Sequence, residues 1–198
     1  MRLYTRGWTP VREGALYVND RFLTRREVDN LLRMDHAFRS SHVDDQAGDP
    51  SYASYRTSQS APVRQDATVT RIMQRAAETL GVTHERVEAP QVVRYAGGDR
   101  FETHHDNGVL LADGSVEPSA GPQRTHTIFC YLLSPERGGE TDFPALGARV
   151  QPRPAGRCVL FRNVLPGGAN DPRAVHAGLP PEAAGEKVGM NIWVEVRQ

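Results

Sequence analysis

The stretch "APQVVRYAGGDRFETHHD", residues 89–106, contains two short β-type runs separated by a pair of glycines. Side chains alternate between the two faces of a strand, so His104 and Asp106 share one face. His105 then points to the opposite face or to the outer surroundings of the pocket. The stretch therefore predicts two convergent metal-ligand side chains on one strand, although three candidate ligands stand in a row.

Further β-type runs follow this stretch to the end of the chain. They are short, and Gly or Pro separates them, which is typical of a β-sandwich or double-sheet barrel rather than of a parallel sheet with alternating helices. With the two runs above, they predict about eight strands. The runs are "THTIFCYLL", "GGETDFP", "GARVQP", "GRCVLFRNV", "RAVHAG" and "VGMNIWVEV".

Two helices are predicted before the strands, which makes the fold class α+β. Thr24 and Glu27 form a capping-box pattern that begins a helix over roughly 24–38. Asp66 can cap a second helix that ends at Gly81. We expect both helices to pack on one outer face of the sheets.

Two polar segments show no helical or strand periodicity. Residues 39–65 are rich in Ser, Asp and Pro, and residues 107–123 follow directly after the histidine pair. Both are predicted to be surface loops, because polar segments without a period rarely form packed elements. The sequence leaves open whether either loop acts as a substrate lid.

The composition limits the classes of partner. The 198 residues are expected to form a single domain, 1–198, and 24 basic residues balance 24 acidic ones. A net charge of zero provides no overall field to attract nucleic acid or an anionic membrane, so we expect neither partner. No apolar stretch approaches the ~20 residues of a membrane span, and the first residues lack the apolar segment of a signal peptide. We therefore expect a cytoplasmic protein, whose oligomeric state the sequence does not indicate.

Both cysteines lie in apolar runs, Cys130 in "TIFCYLL" and Cys158 in "GRCVLF". They show no C-x-x-C spacing, so neither a metal site nor a redox motif is indicated. We expect them to be small buried hydrophobic residues.

A histidine and a carboxylate on one strand need a distant histidine to form the two-histidine, one-carboxylate triad of non-haem Fe(II) oxygenases. His176 is the best candidate, because Lys187 follows eleven residues later and is the only lysine among the 24 basic residues. A buried ammonium requires an anionic partner. 2-Oxoglutarate provides one, since its oxo-acid end can chelate iron while its far carboxylate meets the lysine. Alone, the H-x-D pattern also suits a polar surface strand.

The chain resembles the catalytic domain of the prolyl 4-hydroxylase family of Fe(II)- and 2-oxoglutarate-dependent dioxygenases over residues 87–195. The similar pieces, in the family's order, are "VVRYAGGDRFETHHD", "RTHTIFCYLL", "GGETDFP", "GRCVLF", "VHAGLP" and "KVGMNIW", preceded by "LYVNDRFLTRREVDNLL" and "YRTSQS". The resemblance implies a double-stranded β-helix, a jelly-roll or cupin-like barrel, at about 87–196. The N-terminal helical support would then occupy about 20–81.

The resemblance also implies a chemistry and a set of site residues. The enzyme would use Fe(II), 2-oxoglutarate and O2, with ascorbate in support, to hydroxylate an unactivated C–H bond and release succinate and CO2. The implied iron ligands are His104, Asp106 and His176; Lys187 would meet the distal carboxylate of 2-oxoglutarate, helped by the hydroxyls of Tyr95 and Thr141.

The implied substrate is a prolyl or other amino-acid unit. Arg124 and Trp193 match substrate contacts of peptidyl-proline enzymes, whereas Phe101 replaces a tyrosine and Glu195 replaces a histidine. An acidic Glu195 could instead meet an amine, so the alternative substrate is a free amino acid or natural-product precursor. The sequence is also compatible with a non-catalytic module that binds iron and 2-oxoglutarate. A zinc hydrolase could use the same three ligands, but it would leave Lys187 unexplained.

Overall fold

The computed structural model describes residues 7–41, 55–118 and 123–196. Within these ranges the chain forms two α-helices, fourteen strands and three short 3-10 helices. The strands and helices, in chain order, are β1 (Thr9–Arg12), β2 (Leu16–Asn19), α1 (Arg25–Arg33), β3 (Arg39–Ser40), β4 (Gln59–Pro62), α2 (Ala67–Leu80), β5 (Gln91–Tyr95), β6 (Phe101–His104), β7 (Gly108–Leu110), β8 (Val116–Pro118), β9 (Gln123–Leu133), β10 (Thr141–Phe143), β11 (Ala148–Val150), β12 (Cys158–Arg162), β13 (His176–Gly178) and β14 (Lys187–Val196).

The strands form a major sheet, a minor sheet and a hairpin, and all neighbouring strands are antiparallel. The major sheet has the order β1-β2-β12-β9-β14-β5-β4-β3, and the minor sheet has the order β11-β10-β13-β6. Strands β7 and β8 form the hairpin. The predicted α+β class and double-stranded β-helix are confirmed, but the described strands form separate sheets rather than one closed barrel.

Strand alternation divides the apolar side chains between two cores. Along β9, Ile128 and Cys130 face the helices, whereas Phe129 and Tyr131 face the minor sheet. Burial of each large apolar side chain stabilises the fold by roughly 1.5–3 kcal/mol. The outer core contains the apolar stripe of α2: Val69, Ile72, Met73, Ala76, Ala77 and Leu80. The major sheet is therefore covered by helices on one face, and its other face is available for a site.

The two cysteines are buried in the outer core, as predicted. Cys130 and Cys158 are both fully buried and stand opposite each other on β9 and β12. Both are free thiols.

Helix α1 begins where the sequence predicts but ends at Arg33 rather than near residue 38. The capping box is complete: Thr24 accepts from the backbone N–H of Glu27, whose side chain accepts from that of Thr24. At the other end Met34 is extended, and the ring Nε2 of His36 hydrogen bonds to the carbonyl of Leu31 at 2.8 Å. The Leu31 carbonyl also accepts from the N–H of Met34 at 3.3 Å, so it is satisfied without a further helical turn.

Helix α2 has the predicted limits. The Asp66 side chain accepts hydrogen bonds from the backbone N–H groups of Thr68 and Val69, at 2.7 and 2.9 Å. Gly81 ends the helix with a left-handed φ of 66°, a conformation that glycine adopts without steric cost.

Replacing Asp66 with alanine is expected to lower the free energy of unfolding by about 0.5–2 kcal/mol, because two N–H groups lose their acceptor. Urea denaturation measures this change. Glu78→Ala, on the exposed face of the same helix, is the matched control and should change it by less than about 0.5 kcal/mol. Equal urea midpoints for the two variants would contradict the capping role.

The prediction of loops at 39–65 and 107–123 is partly wrong. In the first segment, β3 and β4 extend one edge of the major sheet; residues 42–54 lie outside the described ranges. The side chains of β4 are small or polar, so backbone pairing with β5 holds this strand without a hydrophobic pattern.

The second segment contains the hairpin of β7 and β8, and residues 119–122 lie outside the described ranges. Gly114, with φ of 83°, forms the turn together with Asp113. An Asp-Gly pair is a hairpin signal that the sequence does contain. In the described ranges the two α-helices have 9 and 14 residues, and neither has the length and hydropathy of a membrane-spanning helix.

Candidate metal centre

Three potential metal ligands converge at the facing ends of two paired strands of the minor sheet. His104 ends β6 and His176 begins β13, and the register places them opposite each other. Asp106 follows two residues after His104. One ligand atom from each of the three residues lies within 4.8 Å of the others. The structure therefore brings together the two residues predicted on one strand and the distant histidine.

Backbone carbonyls fix which ring nitrogen of each histidine is free. His104 Nδ1 lies 2.8 Å from the carbonyl oxygen of Glu102, and His176 Nδ1 lies 2.8 Å from that of Ala174. A carbonyl oxygen can only accept, so each Nδ1 carries the proton. Each Nε2 then presents a lone pair toward Asp106 Oδ1, at 3.5 Å from His104 and 3.9 Å from His176.

The electrostatics of the cluster favour the protonation states that a metal needs. Burial lowers the pKa of His176 to about 3, and the nearby His104 contributes to that lowering. For Asp106, burial alone would raise the pKa, but the two neighbouring histidines and the hydrogen bond from the Thr127 hydroxyl hold it well below its usual value. An ionised carboxylate and a neutral imidazole bind a divalent cation without first losing a proton.

The two oxygens of the Asp106 carboxylate have different surroundings. Oδ1 faces the histidines, whereas Oδ2 accepts a hydrogen bond from the Thr127 hydroxyl at 2.6 Å and one from Trp193 Nε1 at 3.3 Å. Asn163 Nδ2 donates to the Thr127 hydroxyl at 2.9 Å. Thr127 and Asn163 were not predicted as site residues. Alternation along β9, whose inner face also carries Phe129 and Tyr131, could have suggested Thr127.

His105 is buried outside the cluster, as alternation predicts. Its Nδ1 accepts from the backbone N–H of Asn107 at 3.1 Å, so its Nε2–H donates to the carbonyl of Asp171 at 3.2 Å. Both ring nitrogens are thus occupied by the protein. His105 ties the H-x-D segment to the loop that precedes β13.

Aromatic side chains from both sheets surround the histidine rings. The rings of Phe143 and Phe161 lie 5.5 and 4.7 Å from that of His176, measured between centroids. Phe101 stacks on His104 at 3.5 Å, and the guanidinium of Arg56 lies 4.5 Å from the ring centroid of Phe101. These rings restrict the histidines to one orientation and keep bulk water from their faces.

Lys187, at the start of β14, is buried with 1% of its surface exposed. Its Nζ donates to the carbonyl of Gly139 at 3.0 Å and lies 4.4 Å from the ring centre of Tyr95. Burial lowers the pKa of Lys187 to about 7. Electrostatic attraction to the Glu140 carboxylate, which is not in contact with the ammonium, opposes that lowering. Within the described ranges, no carboxylate forms an ion pair with this ammonium. Burying a cation without an ion-pair partner is costly, so this position suits an anionic ligand.

The tyrosine whose ring faces the lysine leads to a group of hydroxyls at the minor sheet. The Tyr95 hydroxyl lies against Gly178, where an added Cβ would come within 3.2 Å of it, and Gly178 pairs with Thr141 in the minor sheet. The Thr141 hydroxyl lies 2.6 Å from that of Tyr131. Sequence reasoning included Tyr95 and Thr141 but missed Tyr131, although it lies on the same inner face of β9 as Thr127. The residues therefore fit both iron and 2-oxoglutarate. Two imidazole nitrogens and one carboxylate oxygen can bind Fe(II), and a buried ammonium with tyrosine and threonine hydroxyls in the same pocket wall can bind a carboxylate.

Two of the residues predicted to contact substrate, Arg124 and Trp193, lie beside Asp106. Arg124 forms a two-point ion pair with Glu88, at 2.7 and 2.9 Å, and its guanidinium stacks on Trp193 at 3.9 Å. Glu195 is opposite Arg124 in the β9–β14 register. Burial would lower the pKa of Arg124, but Glu88 and, more weakly, Glu195 raise it. The charge of Arg124 is thus already balanced within the protein.

Residues 90–195 match the family model described as the 2OG-Fe(II) oxygenase superfamily. The chain is 29% identical over 214 aligned residues to probable prolyl 4-hydroxylase 3 of Arabidopsis thaliana, an alignment that covers 96% of this chain and 72% of the relative. The matched region contains all three residues of the candidate metal cluster and Lys187.

Solved structures show the same architecture. The viral collagen prolyl hydroxylase vCPH of Paramecium Bursaria Chlorella virus-1, in its 2OG complex, superimposes with a TM-score of 0.70 at 26% identity, covering 95% of this chain and all of that one. A prolyl hydroxylase from Trichoplax adhaerens, in complex with a hypoxia inducible factor peptide fragment, gives a TM-score of 0.59 over 92% of this chain and 84% of its own. At 19% identity the second likeness shows the fold alone.

Proposed function

The chain belongs to the 2OG-Fe(II) oxygenase superfamily, and from this premise we propose that it hydroxylates a prolyl unit of a peptide. Enzymes of this superfamily use Fe(II), 2-oxoglutarate and O2 and release succinate and CO2. With iron and 2-oxoglutarate bound, O2 would be the oxidant, one of its oxygen atoms entering succinate and the other an unactivated C–H bond. Membership of an enzyme superfamily argues against a non-catalytic module and against a zinc hydrolase.

The observation that carries the proposal is the cluster of His104, Asp106 and His176. Its ligand atoms lie within 4.8 Å of one another, and both Nδ1 protons are held by carbonyls, so each Nε2 is free to bind iron. Two imidazoles and one carboxylate are the donor set of non-haem Fe(II) oxygenases. We assign the iron to these three residues.

We assign the distal carboxylate of 2-oxoglutarate to Lys187. The supporting observation is a buried ammonium that faces the ring of Tyr95 and has no carboxylate partner among the described residues. Tyr131, bonded to Thr141, belongs to the same polar wall. In the bound state the lysine would hold and orient the co-substrate, while Phe143 and Phe161 exclude water from the metal ligands.

The prolyl substrate is supported by the relatives, which are prolyl 4-hydroxylases, and by the position of two predicted contacts. Arg124 and Trp193 stack beside Asp106, where a substrate must approach. The alternative substrate, a free amino acid held through Glu195, has weaker support, because Glu195 already interacts with Arg124. Phe101, stacked on His104, presents no hydroxyl to a peptide backbone.

The proposed function predicts that protein supplied with Fe(II), 2-oxoglutarate and ascorbate adds one oxygen to a proline-containing peptide. The measurement is mass spectrometry of the peptide together with succinate, and we expect equal amounts of hydroxylated peptide and peptide-dependent succinate. A peptide of the same length with alanine in place of proline is the matched control. Oxygen gain on free amino acids but on none of a panel of prolyl peptides would replace the peptide assignment with the alternative substrate.

We also propose a reducing compartment such as the cytoplasm. Cys130 and Cys158 face each other on adjacent strands as free thiols, and this arrangement suits a compartment in which disulfides are rare.

A further inference from the structure

We infer that Thr127, oriented by Asn163, is a positioning residue that holds one oxygen of Asp106 away from the metal and makes Asp106 a one-oxygen ligand. The inference rests on the proposed iron site. It concerns side chains from β9 and from the segment after β12, neither of which contributes a metal ligand.

The first step is the asymmetry of the carboxylate. Asp106 Oδ1 is the oxygen within 4 Å of both histidine Nε2 atoms. Oδ2 is turned away and accepts the Thr127 hydroxyl at 2.6 Å, a distance typical of a strong hydrogen bond to an ionised acceptor. Trp193 Nε1 adds a longer bond to the same oxygen. A carboxylate held by two donors on one oxygen cannot readily rotate to offer both oxygens to one cation.

The second step is the direction of the hydrogen bonds. An ionised carboxylate has no proton to donate, so the single proton of the Thr127 hydroxyl must point to Asp106. The hydroxyl oxygen is then left as an acceptor. Asn163 Nδ2, 2.9 Å away, meets that need as a donor. The bonds therefore run in one direction, from Asn163 through Thr127 to Asp106.

The third step explains an unpaired atom. Asn163 is fully buried, and its side-chain Oδ1 has no hydrogen-bond partner within the described ranges. Turning the amide over would exchange Oδ1 and Nδ2, and two acceptors would then compete for the one proton of Thr127. The observed orientation leaves Oδ1 unsatisfied, at a cost to stability, but preserves the bond to Asp106.

The backbone fixes Asn163 in this place. Its N–H donates to the carbonyl of Thr125 at 2.8 Å, and its carbonyl accepts from the N–H of Asp171 at 2.8 Å. Asp171 is itself held by Arg162 and Arg173. The donor that orients Thr127 is thus anchored on both sides, so the orientation does not depend on a mobile side chain.

The consequence concerns the metal. Outer hydrogen bonds to a ligating carboxylate set its orientation and basicity, and their loss commonly weakens metal binding by about 10- to 100-fold. A carboxylate that ligates through one oxygen also leaves one more position on the metal for other ligands than one that ligates through both. Thr127 would therefore influence both the affinity of the site and the number of protein ligand atoms.

The test compares Thr127→Val, which removes the hydroxyl at nearly constant shape, with Thr127→Ser, which keeps it. The full chain is titrated with Co(II), and the visible absorption gives both the dissociation constant and the coordination number. We expect Thr127→Val to bind about 10- to 100-fold more weakly, with a less intense band as the carboxylate gains a second metal contact. Thr127→Ser should stay within about threefold of the unmodified protein. Asn163→Ala, which leaves the hydroxyl in place without its orienting donor, should also weaken binding and serves if Thr127→Val does not fold.

The outcomes separate this inference from the proposed function. If the unmodified protein binds no Co(II) or Fe(II), the proposed iron site fails. If it binds, and Thr127→Val and Asn163→Ala bind with the same affinity and the same spectrum, the inference is overturned while the iron site stands. A loss of thermal stability in either variant without a change in metal affinity also overturns it, because a purely structural role predicts that result.

Discussion

Replacing His176 with alanine is expected to abolish both metal binding and turnover of 2-oxoglutarate. His176 supplies the one proposed ligand that lies outside the H-x-D segment, and its Nε2 lies 3.9 Å from Asp106 Oδ1. Loss of a group that only orients a ligand commonly costs about 10- to 100-fold in metal affinity, so loss of a ligand itself should cost at least about 100-fold. Metal content after reconstitution with Fe(II), and succinate release, measure the two effects.

His105→Gln provides the comparison within the same region. It removes an imidazole from the H-x-D segment, yet His105 hydrogen bonds to Asp171 and Asn107 and lies outside the cluster. Its metal affinity should remain within about tenfold of that of the unmodified protein, because only an outer contact changes. Because the ring of His176 packs against Phe143 and Phe161, His176→Gln accompanies the alanine variant, so that loss of metal can be separated from loss of packing. Full metal loading of His176→Ala with loss in His105→Gln would mean that the ligand set is wrong.

The metal ligands could be predicted from sequence because two local rules sufficed. Alternation placed His104 and Asp106 on one face, and a conspicuous lysine selected His176 among the histidines. The structure adds the reason for their meeting: β6 and β13 are neighbours, with His104 directly opposite His176. A pairing between strands about seventy residues apart is a property of the whole sheet, and the sequence carried it only through the resemblance.

The partners of Asp106 Oδ2 and of Arg124 could not be predicted in the same way. Thr127 reaches Asp106 from another sheet, and Asn163 reaches Thr127 from the segment after a third strand. Glu88 lies 36 residues before Arg124, in the segment that precedes β5. Such pairs depend on side-chain directions across three strands, and the twofold period of a strand does not specify which opposing residue is in reach.

The errors in secondary structure have a related cause. Hydrophobic periodicity reports packing, so it found α2, whose stripe enters the outer core. It missed β4, whose side chains are small or polar, and the β7–β8 hairpin, whose strands of three residues are too short to show a twofold period. The end of α1 was misplaced because Phe38 packs against the outer core without being helical.

Replacing Lys187 with methionine is expected to have opposite effects on 2-oxoglutarate binding and on stability. The ammonium is buried, and its Nζ donates only to a carbonyl among the described residues, so an apolar side chain of similar length should leave the free energy of unfolding unchanged or raise it. Removing one partner of a buried charge pair costs about 2–5 kcal/mol, which corresponds to a loss of affinity of roughly 30-fold to several thousand-fold. Calorimetric titration with 2-oxoglutarate and urea denaturation measure the two changes.

The same lysine should make 2-oxoglutarate binding depend on pH. Burial lowers the pKa of Lys187 to about 7 in the free protein, and a bound carboxylate favours the protonated form. Below pH 7 the lysine is already protonated, so affinity should be nearly independent of pH. Above pH 7 binding requires uptake of a proton, so the affinity should fall by about tenfold for each pH unit. Tyr95, whose ring faces the ammonium, stays neutral in this range because burial raises the pKa of its hydroxyl.

Lys187→Met must lose this dependence, because no ammonium is left to take up the proton. Calorimetry between pH 7 and 9 in buffers of different ionisation enthalpy counts the protons directly, and the unmodified protein should take up close to one proton per 2-oxoglutarate bound as the pH rises. A flat affinity in the unmodified protein, or a slope that persists in Lys187→Met, would place the carboxylate partner on another residue. Weak binding by Lys187→Met together with normal Co(II) affinity would assign the defect to the 2-oxoglutarate pocket, because the three metal ligands are unchanged in that variant.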